Sequence, residues 1–209
     1  MRADGQSRDA AKRETRAALI RAGLTEFFEH GLDAPSLDAI CARAGYTRGA
    51  FYVHFRDRED FVIAVMDSVL GAFLDAIIAT DATGDDLEQT VLRFARALTE
   101  GNPLVGERGA MRVHQLLDAC ARSAPIRQQF IATLSEGIAR VERAAVDGQK
   151  AKAVRSDVRP APLATMLVAL AVGILQMFEL GMVIDFETLR TTVLRLLRSD
   201  AKATPHRRR

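Results

Sequence analysis

The chain has no tryptophan, two cysteines and six prolines among 209 residues, and aromatic side chains make up 6% of it. Each scarcity excludes something. Without tryptophan there is little material for the aromatic belts that anchor membrane spans. The two cysteines, Cys41 and Cys120, both sit in apolar helical patterns, so they read as buried free thiols in a reducing compartment rather than as a disulfide. Three of the prolines, Pro160, Pro162 and Pro205, fall outside any apolar periodic run, and Val/Ile/Thr/aromatic alternation is scarce, which argues against strands. The opening MRADGQSRDAAKRETR lacks the apolar stretch of a secretory signal, so a cytoplasmic location is expected. His30, His54, His114 and His206 form no pair at metal-ligand spacing, neither cysteine has a histidine within three residues, and no glycine-rich phosphate loop follows a strand. No metal, cofactor or enzymatic activity is expected from such a sequence.

What is present favours helices with a core. Hydrophobic residues reach 48% and charged residues 27%, and alanine and leucine are abundant. The expected fold is all-α. A first helix spans roughly Asp9 to His30, with Ile20, Leu24, Phe27 and Phe28 on one face and Gly31 as its stop. Ser36 is placed to cap a short second helix carrying Leu37, Ile40, Cys41 and Ala44 inward, which Gly45 ends. A third helix opens at Thr47, with Tyr46 and Phe51 at the spacing of a hydrophobic staple. Two short helices around Gly45-Tyr46-Thr47 make a helix-turn-helix. Asp57 is placed to cap a long fourth helix whose two adjacent apolar rows require packing against several neighbours. Further helices are expected near Asp85–Glu100, Gly109–Arg122, Pro125–Val146, Pro162–Met182 and Phe186–Ser199, with an exposed, mobile loop at Asp147–Pro162.

The net charge is +2, and residues 1–60 hold equal numbers of acidic and basic side chains, so total charge says little about partners. Between Arg43 and Arg58, however, Arg43, Arg48, Arg56 and Arg58 face only Asp57, a local excess suited to phosphates. Phe51 and Phe55, four apart, turn inward on the third helix, leaving Arg48, Tyr52 and His54 outward. The Tyr and His side chains suit phosphate oxygens, and an arginine at a helix start suits guanine edges.

Residues 36–61, SLDAICARAGYTRGAFYVHFRDREDF, resemble the signature of the tetracycline-repressor (TetR) family in the AG turn, the T-R-G opening, the aromatic-Tyr-x-His-Phe core and the basic residue before an acidic pair. With the first helix the resemblance covers about 50 residues; the remainder agrees only in length and helicity. It implies a DNA-binding transcriptional regulator, most often a repressor, in which Ser36, Thr47, Arg48, Gly49, Tyr52, His54 and Arg58 contact a double-stranded operator. Val53 and Asp38 depart from the pattern and leave the operator sequence undetermined.

Three regions are expected: 1–57, an N-terminal arm and helix-turn-helix domain with its motif at about 36–55; 58–200, which the resemblance makes a helical effector-binding and dimerisation domain; and 201–209, whose composition reads as a disordered basic tail. Met66, Phe94, Met111, Phe130, Met166, Met177 and Phe178 supply adaptable apolar surface, and His114, Gln115, Gln176 and Glu179 supply sparse polar groups. From these, Phe94, Met111, His114, Gln115, Met166, Gln176 and Met177 are expected to line a site for an apolar or aromatic effector. Residues 161–178 carry no charge and reach the length of a membrane span, but Gln176, Glu179 and a heptad-like stripe favour a seam against a second copy of the chain, as does Phe186, Leu189, Val193 and Leu196 on the last helix. The expected assembly is therefore a homodimer. The remaining alternatives are a regulator without effector, controlled by abundance or a protein partner, and, more remotely, a single-span membrane protein or an enzyme.

Overall fold

A computed structural model describes residues 2–78, 87–99 and 112–198, without the side chains of 2–7 and 99. Nine helices lie among the described residues: α1 (Arg2–His30), α2 (Leu37–Ala44), α3 (Arg48–Tyr52), α4 (Arg58–Ile77), α5 (Leu87–Thr99), α6 (Val113–Arg122), α7 (Ala124–Lys150), α8 (Pro160–Glu179) and α9 (Phe186–Leu197). No strand occurs among these residues; one isolated antiparallel bridge joins Val154 and Arg198. The all-helical expectation holds. Met111 and the tail 201–209 lie outside the described residues.

Local chemistry sets the ends of the N-terminal helices. The Ser36 hydroxyl accepts from the Ala39 N–H at 3.1 Å, Thr47 accepts from Ala50 at 3.3 Å, and Asp57 accepts from Asp60 at 2.8 Å. Each satisfies an orphan amide at a helix start. At the other end of α2, Gly45 takes φ +75°, a conformation costly for any residue with a Cβ, while the Tyr46 N–H bonds the Cys41 carbonyl at 2.9 Å. Together they turn the chain from α2 into α3 within three residues.

Contacts divide the chain into two units. The first contains residues 1–73 and 101–133. Its core is aromatic: Phe51 lies 5.2 Å from both Phe55 and Phe61, Phe55 lies 4.9 Å from Phe61, and Phe27 lies 6.0 Å from Phe61. All four rings are almost wholly buried, each contributing roughly 1.5–3 kcal/mol by transfer from water. α1 and α4 approach so closely that a Cβ on Gly23 would stand 2.3 Å from the Phe61 ring.

The second unit contains residues 74–100 and 134–209. α5 packs on α9, and Arg198 bonds Glu88 at 3.1 Å. Asp185, whose carboxylate accepts from the Thr188 N–H at 3.0 Å, starts α9. The loop expected at 147–162 is shorter in the structure, spanning 151–159. α7 runs on through Gly148 to Lys150, and the segment beyond is tied down: the Gln149 amide donates to the Arg155 and Val158 carbonyls at 2.8 Å, Arg155 N–H donates to the Leu197 carbonyl at 2.9 Å, and Val154 is buried. α8 is long and apolar enough to cross a bilayer, with mean hydropathy 2.0, and 17% of its most apolar window is buried.

Candidate nucleic-acid interface

α3 has only five residues, too short to be stable alone, so its orientation is set by what it buries. Phe51 and Phe55 pin one side of this turn of helix into the aromatic core, which leaves Thr47, Arg48, Gly49, Tyr52 and Val53 exposed on the other. Tyr52 stacks edge-on against Phe51 at 5.4 Å, so its ring is braced while the residue stays half exposed. Gly49 keeps the centre of this surface low, with only the Thr47 hydroxyl near the place a Cβ would take.

Arg48 is not free-standing. Its Nε lies 3.5 Å from the Asp38 carboxylate, and hydrogen bonding to Tyr52, followed by the charge of Asp38, raises its pKa. Asp38, which departs from the family pattern, thus lies on α2 beside Arg48 and orients it. His54 is half-buried. Burial lowers its pKa, and the positive charges of Lys12 and Arg16 lower it further, so its imidazole is neutral at pH 7.

Three of the four arginines read between Arg43 and Arg58 are paired with acids in the fold, and the fourth is engaged by carbonyls. Arg43 bonds Glu26 at 2.6 Å and also Glu29, and Arg56 pairs with Asp60 at 3.3 Å. The Arg58 guanidinium bonds three main-chain carbonyls, of Pro35, Leu32 and Asp33. The acids come from α1, α2 and α4, beyond the window in which the charges were counted. Glu26, Glu29 and His30 place ligand atoms within 4.8 Å of one another, but the Arg43 cation fills that cluster. Sequence reasoning missed two basic residues of α1. Lys12 and Arg16, one turn apart and exposed, stand beside His54, and the Arg16 guanidinium lies 5.2 Å over the Phe55 ring. Their i,i+4 spacing on the polar side of α1 was the available signal.

The expected effector residues do not form one visible group. Phe94 and Gln176 are half-buried in the second unit, while Met166 and Met177 are exposed on α8. His114 is exposed on α6, and the Gln115 amide lies against Gly31, 3.0 Å from the place its Cβ would take. Met166 and Met177, expected to line an effector site, are 55% and 46% exposed.

A capped two-helix turn, with its second helix anchored by aromatic rings and its polar residues outward, is a helix-turn-helix. Residues 19–65 match the family model for bacterial regulatory proteins of the tetR family. The HTH-type transcriptional repressor Rv3405c of Mycobacterium tuberculosis is 33% identical over 122 residues, 56% of this chain and 64% of that protein. The match thus spans somewhat less than two thirds of the length of such curated relatives. Among solved structures, reduced Escherichia coli NemR superposes with TM-score 0.76 at 18% identity, covering 90% of this chain and 99% of NemR, a likeness of fold. The SmeT–triclosan complex gives TM-score 0.70 at 26% identity, covering 90% of this chain and 93% of SmeT, the repressor of a Stenotrophomonas maltophilia multidrug efflux pump. Residues 19–65 thus carry a DNA-binding region of the tetR type, and the described residues share the fold of TetR-family regulators.

Proposed function

We propose that this protein is a cytoplasmic, homodimeric transcriptional repressor that binds a pseudo-palindromic operator through α3 and releases it when a small, mostly apolar effector binds its helical body. The observation that carries the DNA half is the outward face of α3, where Arg48, Tyr52 and Thr47 stand clear of a rigid aromatic core. Arg48 reads base edges, Tyr52, Thr47 and Ser36 meet phosphates, and Gly49 lets the helix approach the groove. Lys12 and Arg16, beside His54, add charge from α1.

Dimerisation is supported by the apolar residues that α8 and α9 leave uncovered. Met166, Leu170, Met177 and Leu196 are all exposed, which a second copy of the chain would bury. A membrane explains this surface less well, because Leu163, Ala164 and Ile174 on the same helix are already packed against protein. The effector half is supported by SmeT, a relative of near-full coverage whose solved complex holds triclosan, an aromatic drug. An effector acts only through its difference in affinity between DNA-competent and DNA-incompetent states.

The test is a thermal-shift screen of apolar aromatic drugs against the purified protein, followed by titration of each hit into the protein–operator complex. A true effector raises the melting temperature and lowers operator affinity together. If no stabilising compound alters operator affinity, regulation by abundance or a protein partner replaces this reading.

A further inference from the structure

Arg58 opens α4, yet its side chain reaches back to the loop joining α1 to α2. Its Nη1 donates to the Pro35 carbonyl at 2.5 Å, and its Nη2 donates to the Leu32 carbonyl at 2.8 Å and, more weakly, to the Asp33 carbonyl at 3.4 Å. The guanidinium carbon lies 5.8 Å from the centre of the Phe27 ring, which closes the site from the α1 side. Leu32 and Pro35 are buried, so their carbonyls have little water to turn to. All three acceptors precede Ser36, the cap of α2. The loop is also held from α6, where Arg122 bonds the Asp33 carboxylate.

We infer that Arg58 serves DNA binding as a positioning residue: it ties the 32–35 loop to the first turn of α4 and so fixes the angle at which α2 and α3 are presented. The inference rests on the DNA-binding reading above, and it changes the role of one residue expected to contact DNA. A guanidinium is suited to this role because its fork satisfies several carbonyls at once, whereas a lysine ammonium is a single point charge that satisfies them poorly. Engaging a phosphate instead would require Arg58 to give up its bonds to these three carbonyls.

Two roles for Arg58 predict different measurements. Operator affinity is measured across a salt series for the wild type, Arg58→Lys and Arg58→Gln, using an operator selected from random fragments by the wild type. Amide hydrogen exchange over residues 32–37 is followed in the free proteins. A positioning role predicts that both variants lose affinity on the order of tenfold, the scale of one good base contact. It predicts an unchanged slope of log affinity against log salt, and faster exchange in the loop. A phosphate contact predicts that Arg58→Lys binds like the wild type and that Arg58→Gln lowers the slope by about one; that result overturns the inference, as does unchanged affinity or unchanged exchange in both variants. If Arg58→Gln fails to fold, Arg58→Lys alone decides. If the wild type selects no DNA at all, the DNA-binding reading fails, while exchange in the free protein still reports whether Arg58 holds the loop.

Discussion

Phe51 carries structure and function in one side chain. Its ring fills the centre of an aromatic cluster, contacts Phe55 and Phe61, and gives Tyr52 a wall to lean on. Phe51→Ala is expected to destabilise the fold by about 3–5 kcal/mol, the usual cost of emptying a buried aromatic site, as urea unfolding would register. Operator binding should fall with it. His54 makes a separate prediction. Its pKa is lowered in the folded protein by burial and by Lys12 and Arg16, so the unfolded chain takes up a proton more readily than the folded one. Stability is therefore lost as pH falls through the ordinary histidine range, about 6.5. The difference in melting temperature between His54→Gln and the wild type should shift in favour of the variant between about pH 7 and pH 5.5; a difference independent of pH would contradict the assignment. The arginines show where residue-level reading from sequence stops. Arg43 meets Glu26, seventeen positions away, and Arg58 meets carbonyls more than twenty positions away. Such partners are set by how α1, α2 and α4 pack, which no local window records.

At the scale of elements, helix starts governed by one side chain were legible. Ser36, Thr47 and Asp57 cap helices where the sequence placed them, because a cap needs only a hydroxyl or carboxylate three residues before the amide it serves. The end of α7 was not. The sequence placed its end near Val146, but the helix runs to Lys150, and Val154 and Gln149 hold the following segment against it. α8 lies between these cases. Its uncharged stretch was evident, and the structure divides it into a buried side, with Leu163, Ala164 and Ile174, and an open side, with Met166, Leu170 and Met177. Leu170→Arg combined with Leu196→Arg changes only exposed positions, so the monomer should fold as before. Sedimentation of this double variant is expected to show a monomer where the wild type shows a dimer. A dimer that persists would place the interface elsewhere.

Across the whole molecule, the sequence distinguished a motif-bearing N-terminal region from a helical remainder. Contacts group it differently: most of α4, α6 and the start of α7 cluster with the helix-turn-helix, and Asp33 and Glu59 bond Arg122 and Ser123. α2 and α3 thus share one contact unit with α6. The central claim is that two copies of α3 read a two-fold DNA site, and fragment selection by the purified wild type and by Arg48→Ala tests it most directly. The account predicts that the wild type enriches a pseudo-palindrome whose half-sites lie one helical turn, about 34–36 Å, or a multiple apart. It also predicts that Arg48→Ala enriches the same spacing with base preference relaxed at one position in each half. Enrichment of no motif by the wild type, or of a motif without two-fold symmetry, would contradict it.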